Sequence, residues 1–247
     1  MSDDMRYTTD PAESAQTTPP TTTNGGEAST QMLLREAVLT RHSARLYLPQ
    51  PVPRPMLDKA FELARHSPSD SNTQVWRMFV VTGEALKGLK TALMARAAAD
   101  TEPRIPGPPP EFVPYLSALG KEIYGVGWGI PRDDLPRRRE AVLRNFEFFG
   151  APVGIIVCMS RALRGQAAIS VGMYVQTLLL AFTELGIQSC VQIAIAGYPD
   201  LVKRVVGIPE DLEVLCGISV GYEDVDAGVN KVRSDREPVD KTTVWVE

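Results

Sequence analysis

Residues 41–53 read RHSARLYLPQPVP and follow directly on QMLLREAVLT (31–40), an apolar run with helical spacing. The chain has to leave its helix here, and it does so through two arginines that bracket a serine. Cations near a helix C-terminus satisfy its last carbonyls and its dipole, which is one reading of Arg41 and Arg45. The other is an anion site, because fixed guanidinium forks and a hydroxyl are the donors that a phosphate dianion takes.

Outward from this stretch, the chain divides by hydrophobic period. PRPMLDKAFELARHS (53–67) places Met56, Leu57, Ala60, Phe61, Leu63 and Ala64 on one helical face, with Pro55 near the start. Further helical segments are expected at about Gly83–Ala99, Leu135–Phe149, Gln166–Leu185 and Asp200–Val206. The runs WRMFVVT (76–82), VGIIVCM (153–159), QSCVQIA (188–194), EVLCGISVGY (213–222) and TTVWV (242–246) are apolar or β-branched and bounded by Gly, Pro or charge, so each reads as a strand. Helices and strands mixed in this way indicate an α/β or α+β sandwich, with the last strand on a long arm.

The 247 residues carry a net charge of −4 and 44% hydrophobic residues, enough for one sizeable core. Basic residues are scattered among acidic ones, so no nucleic acid or anionic membrane is expected as a partner. Cys158, Cys190 and Cys216 lie far apart in apolar runs and read as reduced core residues of a cytoplasmic protein. With only His42 and His66 as imidazoles and no metal-binding spacing around them, no metal is expected. Residues 1–30 are rich in Thr, Ser, Pro and Gly and are expected to form a disordered tail ahead of a single domain at 31–247. SVGMYVQTLLLAF (170–182) is too short and too interrupted to span a bilayer and reads as the buried central helix.

The second punctuated stretch is HSPSDSNTQVWRMFVV (66–81), where a helix gives way to a loop and then to a strand. Alone, the loop reads as an Asx or Ser turn as readily as it does a polar cradle for a planar heterocycle. Together, RHSARLY and SPSDSNTQVW resemble the paired signature of the FMN-dependent nitroreductase family. Further matches follow in order at FFGAPVGIIV (148–157), QTLLLAFTELGIQSC (176–190), GIPEDLEVLCGISVGY (207–222) and SDREPVD (234–240). The resemblance implies an α+β three-layer sandwich, with a central, mainly antiparallel sheet flanked by helices and a C-terminal arm that reaches the partner subunit of a homodimer.

It also implies site residues. Arg41, His42, Ser43 and Arg45, with Arg236 from the C-terminal arm, match the grip on the FMN phosphate and ribityl chain. Pro68, Ser69, Asp70 and Asn72 match the loop that packs on the isoalloxazine from the partner. Ala194, Ile195, Ala196 and Gly197 match the turn beside the reactive flavin edge, and Arg144 falls where relatives present a polar group to flavin O2. No catalytic side chain is expected, because hydride transfer from NADPH or NADH and reduction of a nitroaromatic or quinone acceptor in ping-pong fashion are the cofactor's chemistry. Other readings stay open: a dehalogenase, heterocycle oxidase or flavin-destroying enzyme on the same scaffold, or a non-catalytic FMN-binding protein.

Two departures from the pattern stand out. Ala196 replaces an acidic residue common in bacterial members, which removes a charge that repels anionic ligands. The Pro- and Gly-rich stretch 97–136 carries Phe112, Tyr124 and Trp128, aromatics that suit a planar ligand. It reads either as a lid over the acceptor site or as surface packing.

Overall fold

The computed structural model describes residues 32–100, 104–163 and 165–247. The expected disordered tail, residues 1–30, lies outside them. In chain order the elements begin with α1 (Leu34–Thr40), α2 (Arg54–Ala64), β1 (Trp76–Thr82), α3 (Gly83–Ala99), α4 (Val113–Gly120) and α5 (Leu135–Leu143). They continue with β2 (Val153–Ser160), α6 (Ala167–Glu184), β3 (Gln188–Gln192), α7 (Pro199–Val206), β4 (Leu212–Gly221) and α8 (Val239–Thr242). The sheet runs β1-β2-β4-β3 and every pairing in it is antiparallel, in an α+β sandwich of three layers.

Strand β2 sets the layering. Val153 through Met159 are all buried, so helices must cover both faces of the sheet. Ile155, Val157 and Met159 pack with Leu57 and Ala60 of α2 and Leu178 and Phe182 of α6, while Ile156 and Cys158 pack with Leu89 and Leu93 of α3 and Val202 of α7. In β4 the alternation changes phase. Val214 belongs to the α3 side and Cys216 to the α6 side, because the pairing to β2 skips Leu215 between Val157/Cys216 and Cys158/Val214. A single bulged residue moves the following side chains to the opposite face.

Several expectations change at element ends. Leu63 is 47% exposed, because the buried stripe of α2 is Leu57, Ala60 and Ala64. The helix expected over 135–149 ends at Leu143 and continues as a 3₁₀ turn, Arg144–Gly150, in which Phe148 (φ 52°) and Phe149 (φ 53°) adopt left-handed backbone. That turn buries Phe146, Phe148 and Phe149, and three aromatic burials offset the backbone strain. The strand expected over 188–194 stops at Gln192 and gives way to a 3₁₀ turn, Ile193–Gly197. The fifth strand, TTVWV, does not form in this chain. Val244, Trp245 and Val246 are 85%, 83% and 92% exposed after the short α8, and a strand without a neighbour has no ladder to join.

Helix α6 is the one described helix with the length and mean hydropathy, 18 residues and 1.3, of a membrane span. It instead forms the inner helix of its layer, packed against α2 and the sheet, with Leu178 and Phe182 fully buried. Replacing Leu178 by Ala should therefore cost about 2–5 kcal/mol of stability. The expected readout is a lower urea midpoint at unchanged m value.

Candidate active site

The segment 41–48 is strapped along the β3 side of the sheet. Ser43 bridges Ser189 in parallel and Tyr47 bridges Glu223, while Leu48 N–H donates to Tyr222 O at 2.8 Å. Buried Asn230 is the clamp. Its Oδ1 accepts from the backbone N–H groups of Arg45 (2.7 Å) and Leu46 (3.2 Å), and its Nδ2 donates to the carbonyls of Leu46 (2.7 Å) and Asp224 (2.9 Å). The backbone that carries both arginines is thereby fixed before any ligand arrives.

Cys190 of β3 stands at the centre of the expected phosphate grip. Burial raises its thiol pKa, and the opposing influences come from Arg45, a hydrogen bond with Ser43, and Arg41. Burial, and then the like charge of Arg236, lower the pKa of half-buried Arg41. Arg236 of the C-terminal arm is therefore within Coulombic reach of the turn at 41–45 in one chain. Their donor chemistry fits a phosphate. His42 is engaged elsewhere. Its ring nitrogens lie 2.9 Å from Thr40 O and 2.7 Å from Glu223 Oε2, so both have partners within the chain.

Beside Cys190 opens a cleft of about 1160 Å³. That exceeds the ~300–1,000 Å³ of a pocket for one small ligand, so there is space for two stacked planar molecules. It is lined by Cys190, Val191 and Arg45, by Arg138 of α5 with Asn145 and Phe149, and by a wall of residues from 114–132. Tyr124 and Trp128 line it; Phe112 does not. Phe112 is 52% exposed and tilts against Tyr115 at 6.4 Å, because it precedes α4 on the far side of that wall.

The wall is held by close backbone contact. A Cβ on Gly127 would lie 2.9 Å from Val229 Cα, and one on Gly228 would lie 2.7 Å from Gly127 O, so these two glycines let the π-helical turn Lys121–Gly127 dock on the turn that contains Asn230. The cleft wall and the clamp on Arg45 are one packed unit.

The turn 193–197 packs its central side chains inward. Ile195 is fully buried with its Cγ1 against Gly217, where a Cβ would come within 2.7 Å, and Ala194 and Ala196 pack on the same core. Gly197 lies beneath Arg104. The part of this stretch that lines the cleft is Cys190–Val191, within β3. Next to it, Gln192 is 2% exposed. Its Nε2 donates to Asn145 O at 2.7 Å, while Oε1 has no partner among the described residues, which leaves an acceptor beside the cleft.

Pro68, Ser69, Asp70 and Asn72 do not reach this cleft within one chain. Their loop is nonetheless fixed. Ser71, Asn72 and Gln74 have φ of 48°, 54° and 46°, held by Ser69 Oγ accepting from Gln74 N–H (3.0 Å) and Ser170 Oγ accepting from Asp70 N–H (3.2 Å). Non-glycine residues in left-handed backbone mark places where geometry has been kept against strain.

Residues 38–222 match the family model described as the nitroreductase family. The chain belongs to the nitroreductase family. The 4-nitrobenzoate reductase of Nocardioides sp. (strain LMS-CY) is 34% identical over 216 residues, 83% of this chain and 87% of that protein. Nitroreductase NfnB of Mycolicibacterium smegmatis is 34% identical over 236 residues, covering 91% and 97%. Among solved structures, the FMN and NADPH-dependent nitroreductase NfnB from Sphigopyxis sp. strain HMH superposes with a TM-score of 0.83 at 30% identity, covering 87% of this chain and all of that one. The FMN-dependent NfnB from Mycobacterium smegmatis in complex with NADPH gives 0.79 at 32%, covering 86% and 97%.

In this nitroreductase the segment after α3 is anchored by an acid. Asp100 accepts from Arg104 Nε (2.6 Å) and Tyr198 Oη (3.0 Å), and Arg96 lies 3.4 Å away. The hydrogen bond from Arg104, helped by Tyr198, brings its pKa down to about 2. A depressed carboxylate pKa stabilises the fold above the unfolded value of roughly 3.9, and that contribution is lost as pH falls through about 2. Urea midpoints should therefore fall from pH 4 to pH 2 more steeply in the parent than in Asp100→Asn.

Proposed function

We propose that this nitroreductase is an FMN-dependent, NAD(P)H-driven reductase of nitroaromatic or quinone acceptors. The observation that carries the reading is the grouping of Arg41, Ser43 and Arg45 about Cys190, with Arg236 in Coulombic reach of Arg41, where Cys190 and Arg45 line a cleft with space for two stacked planar molecules. Arg41 and Arg236 would hold the FMN phosphate, with Ser43 and Arg45 along the ribityl chain. The chemistry that FMN supplies when bound is two-electron transfer from NADPH or NADH to the acceptor. The residues of the chain bind and orient: Tyr124 and Trp128 enclose the planar ligands, and the 114–132 wall keeps water from them. One cleft serves donor and acceptor in turn, which is the physical basis for ping-pong kinetics.

We further propose a homodimer with FMN at the interface, in the cytoplasm. The 68–72 loop is preorganised yet stands apart from its own cleft, and Val244, Trp245 and Val246 lie exposed with β-branched character. Both features suit a second subunit, with the loop completing the partner's cleft and the C-terminal segment joining a strand edge.

The test of the function is direct. Under anaerobic conditions NADPH should bleach the yellow absorbance of the purified protein, and a nitroaromatic should restore it; absorbance that persists after NADPH would refute the reading. Replacing Arg41 by Ala should weaken FMN binding by about 1.5–3 kcal/mol, the usual worth of a hydrogen bond to a charged group, or roughly 10- to 150-fold. Riboflavin, which lacks the phosphate, should bind parent and variant alike in a fluorescence titration. A parallel loss of riboflavin would make Arg41 structural.

A further inference from the structure

Among the described residues four cations, Arg45, Lys121, Arg132 and Arg138, line the cleft, and no Asp or Glu does. The chain as a whole carries a net charge of −4, so this is a local reversal of sign. Arg45 belongs to the expected FMN grip. The other three lie in the 114–132 segment and α5. A low-dielectric cleft lined by one sign of charge concentrates ligands of the other sign.

Arg138 is the most fixed of the three. It is partly buried on α5, its Nε donates to Pro131 O at 3.0 Å, and its guanidinium lies 5.4 Å from the ring centroid of Tyr124. Those two contacts fix the plane of the fork while its terminal nitrogens have no acceptor among the described residues. An aromatic face next to a held guanidinium edge is the arrangement that takes a planar ring carrying an oxyanion, the ring on Tyr124 and the oxyanion on the fork.

We propose that the cleft selects ligands that carry an oxyanion, and that Arg138 pairs it. The oxyanion is either a carboxylate on the nitroaromatic acceptor or the phosphate by which NADPH differs from NADH. The proposal rests on the flavin-reductase reading for its acceptor, and the experiment separates the two. Calorimetry on the oxidised holoenzyme compares benzoate with benzamide, which has the same shape and no charge. Steady-state kcat/KM compares 4-nitrobenzoate with 4-nitrobenzamide, and NADPH with NADH.

The parent should favour the charged member of at least one pair by about tenfold, and Arg138→Gln should bring that ratio close to one. Loss in the benzoate and nitrobenzoate ratios assigns the fork to the acceptor carboxylate; loss confined to NADPH over NADH assigns it to the phosphate. Ratios near one in the parent, or ratios unchanged in Arg138→Gln, overturn the proposal. Should that variant not fold, the parent still decides: an oxyanion preference must shrink between 50 and 500 mM NaCl, and one that does not shrink overturns the assignment. If neither nitro compound is reduced, the functional reading fails while calorimetry still decides the anion subsite.

Discussion

Strand β2 cannot be wetted on either face, and the rest of the molecule is arranged around that constraint. Val153 through Met159 are buried, so one helical layer must lie over Ile155 and Val157 and another over Ile156 and Cys158. Covering both faces leaves the sheet edges as the places where a ligand can approach backbone. The β3 edge is five residues long beside a ten-residue β4, so it ends early. Gly217 lets Ile195 sit directly on the sheet there, and the chain turns away at Gln192 and leaves Cys190 and Val191 at the cleft.

The same edge holds a group of arginines. Arg41 is half-buried with Arg236 in Coulombic reach, and Arg45 shares Cys190 as a neighbour. Like charges brought together cost energy, so the backbone that carries them has to be held by something else. Asn230 does this with four hydrogen bonds to the backbone, and the Gly127–Gly228 contact joins its turn to the far wall of the cleft. Anion grip and cleft wall are coupled through packing, so a change in one is felt in the other.

This division explains what the sequence could reveal. The run VGIIVCM has no polar position and so announces a doubly covered strand, and the turn RHSARLY announces donors for an anion. The period of α2 could be read to within one residue, Leu63, because a helix face is wide and its margin is set by neighbours. The left-handed backbone of Phe148 and Phe149 was not legible, since nothing local favours it; burial of their rings in the tertiary structure does. TTVWV has the composition of a strand, yet a strand exists only with a neighbour, and this chain provides none. Arg138 was hidden in PRRRE, where its neighbours Arg137 and Arg139 go respectively to Asp134 and to the carbonyls at the C-terminal end of α3. Only the fold separates three consecutive arginines into three roles.

The two aromatic–arginine pairs of the cleft wall make the same point about position. Arg144 lies 4.7 Å from the Trp128 ring centroid and Arg138 lies 5.4 Å from that of Tyr124, so each ring is met by a guanidinium. Trp128 and Tyr124 line the cleft, but only Arg138 accompanies its ring there; Arg144 does not. A guanidinium outside the cleft steadies a ring and adds little to ligand charge recognition, whereas one inside it presents donors at a fixed distance from the stacking face. Chemically the pairs are alike; what distinguishes them is that Arg138 of α5 lines the cleft and Arg144, in the turn that follows, does not.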